Sequence, residues 1–428
     1  MPEVAPPPAS PSAAQADEKI PQHLLPAGGT LQPVELSIVI PALNEEITVG
    51  EFVDWCKEGL ERAGIQGQIL IVDSSRDRTP EIAVAHGAEV LRVPKLGLGR
   101  AYIDAMPYVR GKYMLLGDAD LTYDFREITP FLDKFREDYE YIMGSRFKGR
   151  IEPGAMPPLH RYFGTPLTTW MLNFIYGSHF SDIHCGMRGV TREAFLRMRM
   201  CSQSWQYASE MIIKSLHLRL KTAEVPIIFH KDREGRVSHH KRRGWYAPWH
   251  AGWITLQALC TYGADFFLFR PGLILFGLGT IGVAALYNGP LQVAGIGLSL
   301  HWMLLFLLCS MVGLQLVFTG LLAKVLYDPE KRRTTRWLKY FSFTRSTMVS
   351  AALFLLGTAS SVGLIVEYFH GKFLLPATLM PASYRAVAGI GLILAAVIYF
   401  TFSLVLNALY EATFAVEGAN HSESNIST

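Results

Sequence analysis

From Leu36 to about His230, short apolar runs alternate with longer amphipathic stretches. Past about residue 250 the apolar runs lengthen to membrane-spanning size. Residues 37–42 form a β-rich run, and 46–63 carry a helical period that puts Val49, Phe52, Val53 and Leu60 on one face. Residues 68–72, 89–93, 112–116 and 141–145 read as further strands, with helices at 78–86, 99–109 and 125–135 between them. This alternation predicts an α/β domain built on a parallel sheet covered on both faces. Such sheets bind ligands at the carboxyl ends of their strands, and Asn44, Asp73 and Asp118 all fall at such ends.

Four later stretches, about 267–287, 302–327, 348–369 and 387–410, are long enough to cross a bilayer, which needs roughly 20 apolar residues per helix. The connection between the second and third holds Lys331, Arg332, Arg333, Arg336, Lys339 and Arg345, whereas the first hairpin, around 288–300, has no basic residue. The positive-inside rule makes the basic loop cytoplasmic, and with four spans the N-terminal domain and the C-terminus lie on that side too. Between domain and membrane, Trp245, Tyr246, Trp249, Trp253 and Tyr262 predict interfacial amphipathic helices over 241–265. The expected order is a disordered leader (1–34, rich in Pro, Ala, Ser and Gln), a catalytic domain (35–240), the interfacial helices, a four-helix membrane domain (266–412) and a polar tail (413–428).

Composition narrows the function. A net charge of +3 over 428 residues, without a basic stripe interleaved with aromatics, gives no support for nucleic-acid binding. Five scattered cysteines with no C-x-x-C read as reduced thiols. His184 and Cys185 adjoin but lack further partners at metal-binding spacing.

The chemistry concentrates at Asp118-Ala119-Asp120, directly after the apolar run Tyr113–Gly117. Two carboxylates one residue apart at a strand end are hard-oxygen donors suited to Mg²⁺ or Mn²⁺ carrying a diphosphate. D-x-D alone also occurs in solvated turns. Here it follows an Asn44-Glu45 turn, a strand ending in Asp73 and the loop Lys95-Leu96-Gly97-Leu98-Gly99-Arg100-Ala101, an order of parts that reads as a nucleotide-sugar site.

These segments resemble a family-2 inverting glycosyltransferase of the GT-A, Rossmann-like fold, most closely its dolichyl-phosphate mannose synthase and polyprenyl-phosphate glycosyltransferase branch. The blocks that carry the resemblance are Lys95–Ile103 with Gly111-Lys112-Tyr113 and Asp118–Leu121, Gly144-Ser145-Arg146, and Ser181-Asp182-Ile183-His184-Cys185-Gly186-Met187-Arg188. Val72-Asp73-Ser74-Ser75 departs from the family's usual second aspartate, so the nucleotide base stays open between guanine and uracil. Thr122-Tyr123-Asp124 replaces the commoner turn after the acidic pair.

The resemblance implies a role for each candidate. Pro41, Leu43 and Glu45 border the base and ribose, and Asp73 hydrogen-bonds one of them. Lys95 and Arg100 neutralise phosphates that Gly97 and Gly99 let approach the backbone. Asp118 contacts ribose or a metal-bound water; Asp120 ligates Mg²⁺ or Mn²⁺, with Ala119 between them. Arg146, Asp182 and Arg188 belong to the acceptor side, where Arg161, Lys231, Arg236 and neighbouring cations hold a phosphate or touch anionic headgroups. Glu210 is either a first-turn helix carboxylate or an acceptor-site base, and Glu367 lies in an otherwise apolar span.

The expected reaction moves a hexose from a nucleotide diphosphate sugar (GDP-mannose or UDP-glucose type) to a polyprenyl or dolichyl phosphate at the cytoplasmic face, with inversion. An ionised phosphate attacks without a general base. A lipid hydroxyl acceptor, ceramide or glycerolipid, is the alternative, with Asp182 or Glu210 as base. A non-catalytic nucleotide-sugar-binding scaffold is the remaining one. Interfacial helices are compatible with a homo-oligomer.

Overall fold

The computed structural model describes residues 21–28, 31–204, 206–233, 253, 256–257, 259–326, 337–371 and 381–426. It divides into two compact units, Met1–Leu259 and Cys260–Thr428.

The first unit is built on β1 (Gln22–Leu24), β2 (Val34–Ala42), β3 (Gly67–Asp73), β4 (Glu89–Arg92), β5 (Gly111–Leu116), β6 (Tyr141–Ile151), β7 (Arg188–Thr191) and β8 (Thr222–Phe229). Its helices are α1 (Val49–Arg62), α2 (Thr79–Ala85), α3 (Leu98–Ala105), α4 (Thr129–Arg136), α5 (Thr165–Tyr176), α6 (Arg192–Met198) and α7 (Tyr207–His217). The sheet order is β1-β4-β3-β2-β5-β7-β6-β8. The β-rich runs become central strands because they bury both faces: Ile38, Val39, Ile40, Leu70, Ile71, Leu115 and Leu116 are all fully inside. The apolar stripe of α1 packs inward through Val49, Phe52, Val53, Cys56 and Leu60.

The sheet is mixed rather than wholly parallel. β2, β3, β4 and β5 pair in parallel, but β7 runs antiparallel between β5 and β6, and β1 pairs antiparallel with β4. The β6–β7 connection includes α5 and returns the chain from the far end of β6, which reverses β7. Part of the segment expected to be a disordered leader is thus an edge strand, where Gln22, His23 and Leu24 face Arg92, Leu91 and Val90. Its anchor is polar: His23 lies 3.2 Å from Glu89, which also takes both guanidinium nitrogens of Arg110 at 2.8 and 2.6 Å. Gln68 joins Glu89 to Ser37, closing a buried ladder at the amino ends of the strands.

In the second unit, Phe266–Ala285, Leu300–Val325, Phe343–His370 and Pro381–Glu411 are each long and apolar enough to cross a membrane. Glycines set their close packing: a Cβ on Gly279 would meet the Phe306 carbonyl oxygen at 2.5 Å, and one on Gly357 the Gly389 carbonyl oxygen at 2.6 Å. The last helix is continuous as Pro381–Ile426, so most of the expected polar tail is helical. Of the interfacial stretch, 241–252, 254–255 and 258 lie outside the described residues, as does the core of the basic loop, 327–336.

Candidate active site

Three strand-end loops are stitched together. At the end of β2, Asn44 takes up a left-handed conformation (φ 57°). Its amide donates to Ser75 Oγ at 2.7 Å, and its Oδ1 accepts from the Arg76 amide at 3.0 Å. The Glu45 amide donates to Thr79 Oγ1 at 2.9 Å, while Thr48 holds the Glu45 carboxylate at 3.2 Å. Pro41 and Leu43 flank this turn at half-buried positions.

Asp73 closes β3, fully buried. Its Oδ1 accepts from the Ser75 amide at 3.2 Å, and Arg92 stands 3.7 Å from Oδ2, which has no hydrogen-bond partner. Burial raises the Asp73 pKa against the lowering effect of Ser75. A buried acceptor oxygen without a donor at a strand end calls for an explanation, and a ligand N–H or O–H is one that fits.

The glycine loop rests on a second loop. Gly97 has φ +123°, and a Cβ there would meet the Gln203 carbonyl oxygen at 2.2 Å; one on Gly99 would meet that of Ser202 at 2.1 Å. The Arg100 amide donates to Gln203 O at 3.1 Å. Glu210 secures this floor, because its two carboxylate oxygens accept from the Cys201 and Ser202 amides, each at 2.8 Å, with Lys214 beside it at 2.5 Å. Lys95 is exposed on the loop, and Arg100 pairs with Asp104 at 2.8 Å.

Asp118 and Asp120 follow β5, both half-buried, with Ala119 buried between them. Thr122 orients Asp120 by donating to Oδ1 from its amide (3.0 Å) and its hydroxyl (2.5 Å). Tyr102 of α3 donates to Gly117 O at 3.2 Å, tying the glycine-loop helix to this strand end. Gly186 packs directly on Asp118: an added Cβ would lie 2.6 Å from Asp118 Oδ2. Its amide donates to the Tyr123 hydroxyl at 2.8 Å.

Among the described residues no group of three or more His, Cys, Asp or Glu side chains forms a metal cage. Two adjacent strand-end carboxylates nonetheless fit Mg²⁺ or Mn²⁺, since such ions are often held by one or two carboxylates plus substrate phosphates.

The acceptor-side candidates make contacts within the domain. Arg146 and Asp182 bind each other as a buried fork, Nε–Oδ2 at 2.6 Å and Nη2–Oδ1 at 2.8 Å. Burial opposes both charges, but their mutual hydrogen bonds prevail, raising the Arg146 pKa and lowering that of Asp182. Arg188 is fully buried and donates to the carbonyls of Cys185, Ala208 and Ile183. Asp182, Arg188 and Glu210 are thus each engaged by partners within the domain. Arg161 lies against the Tyr162 ring at 5.5 Å. Lys231 is exposed, its amide donating to Glu152. Arg236 lies outside the described residues. The supporting parts not foreseen, Tyr123, Thr79 and the carbonyls of Ser202 and Gln203, carry no local sequence signal because each acts through a tertiary contact.

Comparison with known proteins decides the class. Residues 37–198 match the glycosyl transferase family 2 model, and 324–410 match the C-terminal transmembrane region of family-2 glycosyltransferases. The chain is 37% identical over 344 residues to the low-salt glycan biosynthesis hexosyltransferase Agl6 of Haloferax volcanii, covering 78% of this chain and 80% of that protein. The chain belongs to glycosyltransferase family 2. It is also 28% identical over 206 residues to a dolichyl-phosphate hexose transferase of the same organism, covering 47% of this chain and 86% of that one. Among solved structures, mannosyl-3-phosphoglycerate synthase from Rubrobacter xylanophilus aligns with a TM-score of 0.41 at 23% identity, over 54% of this chain and 75% of that one. This family-2 member is thus a glycosyltransferase with a GT-A domain and an integral membrane region.

Proposed function

We propose that this glycosyltransferase moves a hexose from a nucleotide diphosphate sugar to a polyprenyl phosphate at the cytoplasmic membrane face, with inversion. The observation that carries the phosphate acceptor is the state of the two carboxylates a hydroxyl acceptor would need as base. Asp182 is locked to Arg146, and Glu210 is filled by two backbone amides and Lys214. A phosphate monoester, ionised near neutrality, needs no base. The name of one relative, a dolichyl-phosphate hexose transferase, agrees with this acceptor class, and that of another, a hexosyltransferase, with the hexose. Charge in the connection after the second span, with Lys331, Arg332, Arg333, Arg336 and Lys339, supports the cytoplasmic orientation.

In this reading Asp73 accepts from the nucleoside, while Lys95 and the glycine-loop amides face the diphosphate. Asp118 and Asp120 hold a divalent cation, which when bound neutralises charge on the leaving diphosphate. A phosphate oxygen of the acceptor forms the new bond to the anomeric carbon as the bond to the nucleotide diphosphate breaks, leaving a lipid-phosphate sugar and a nucleoside diphosphate. The test is a partition assay. Labelled GDP-mannose, UDP-glucose and UDP-N-acetylglucosamine are supplied separately with polyprenyl phosphate and Mg²⁺ or Mn²⁺. One donor is expected to label the organic extract, with mild acid releasing the label and Asp120→Ala abolishing transfer. Acid-stable lipid label would point to a hydroxyl acceptor instead.

A further inference from the structure

The turn after the acidic pair departs from the family pattern, and each of its residues makes a different contact. Leu121 enters it at φ 60°, a left-handed conformation that a bulky side chain adopts only where its surroundings impose it. Thr122 then meets Asp120, its amide and hydroxyl both donating to Oδ1. Tyr123 serves Asp118 instead. Its hydroxyl takes the Gly186 amide at 2.8 Å, and its ring shares with Asp118 the space that a side chain at Gly186 would fill. Asp124 accepts from Arg126 Nε and Nη2, each at 2.7 Å.

The same turn is fastened to the end of β8. The Thr122 carbonyl accepts from the His230 amide at 2.8 Å, and Tyr123 forms an isolated antiparallel bridge with Phe229. The His230 ring stands between two carboxylates, Asp124 at 3.2 Å and Glu152 at 3.0 Å. It also meets the Trp55 ring edge to face, and that ring carries the Arg126 guanidinium at 4.2 Å. Thr122, Tyr123 and Asp124 are all buried.

We propose that this turn and the end of β8 form a latch that fixes the two carboxylates in one arrangement, with Thr122 and His230 as positioning residues for the cation the acidic pair holds. The left-handed Leu121 is why a latch is needed. A backbone in a costly conformation persists only while its surroundings over-determine it. Without the latch it relaxes, and Asp120 loses the two bonds that orient it. Groups that orient a metal-holding carboxylate contribute to affinity without touching the ion. The inference rests on the proposed reading of Asp118 and Asp120 as cation ligands; it does not depend on the sugar, base or acceptor.

The test reads Mn²⁺ binding, not transfer. The full chain in phosphatidylcholine nanodiscs is titrated with Mn²⁺ in the presence of UDP or GDP. Uptake beyond that of nucleotide alone is followed by the fall in the free-ion electron paramagnetic resonance signal. Thr122→Val is expected to weaken Mn²⁺ binding about tenfold, and Thr122→Ser to keep it. His230→Phe retains a ring beside Trp55 but no ring nitrogen, and is expected to weaken binding by a smaller factor, about threefold. Gln68→Ala, in the polar ladder at the opposite strand ends, is the control: its thermal melt falls while its Mn²⁺ affinity holds. Natural affinity in His230→Phe would overturn the latch even if Thr122→Val binds weakly, as would an equal loss in Gln68→Ala. Mn²⁺ uptake that survives Asp120→Ala would remove the cation reading of the acidic pair, and the inference with it.

Discussion

Asp182, singled out in the sequence, is held in the fold by a buried fork with Arg146. The motif around it marks a special segment, but its partner Arg146 lies 36 positions away, and only folding reveals that each saturates the other. Removing one member of a buried fork leaves an uncompensated charge, so Asp182→Asn is expected to destabilise the protein by about 3 kcal/mol or more. A thermal melt of the solubilised protein reads this, and replacing both residues with apolar ones should cost less. His184 gives a pH test beside it. Burial, with the Arg146 charge behind it, lowers its pKa from an ordinary 6.5 to about 4. The unfolded chain then takes up the proton first, so this contribution to stability is intact above about 6.5 and is lost as pH falls towards about 4. At pH of about 5 the loss is about 2 kcal/mol. Melts across that range should slope more steeply for the natural protein than for His184→Gln. By contrast, Asp118, Asp120 and Asp73 were legible in sequence because their place at the ends of apolar runs fixes where they stand whatever else they touch.

At the scale of elements, the alternating strands and helices were readable because each strand of the central sheet is a short run buried on both faces. The antiparallel course of β7 and the edge pairing of β1 were not, since strand partners are chosen by tertiary packing and both segments are short. The glycine loop was recognised, but not its floor. Backbone carbonyls at Ser202 and Gln203 hold it, and Glu210 holds them. Glu210→Gln keeps the shape but weakens charge-assisted bonds to two amides. If the loop it supports binds donor phosphates, as proposed, the change raises the donor KM about tenfold with a smaller change in kcat. A base role would instead lower kcat and change the pH–rate profile. Steady-state kinetics over a pH range separate the two.

Taken whole, the molecule divides its labour between a GT-A unit with strand-end chemistry and a unit of apolar helices packed through glycines. The membrane region was plain in the sequence because length and apolarity alone define a span. The proposed orientation rests on loop charge, and the proposed acceptor on the engaged state of Asp182 and Glu210. The proposed acceptor is a phosphate. The most direct measurement pairs polyprenyl phosphate with the same polyprenol lacking the phosphate, each given the donor that labels lipid. Transfer to the phosphate alone, lost in Asp120→Ala, is the predicted result. Comparable transfer to the free polyprenol, giving an acid-stable product, would contradict it.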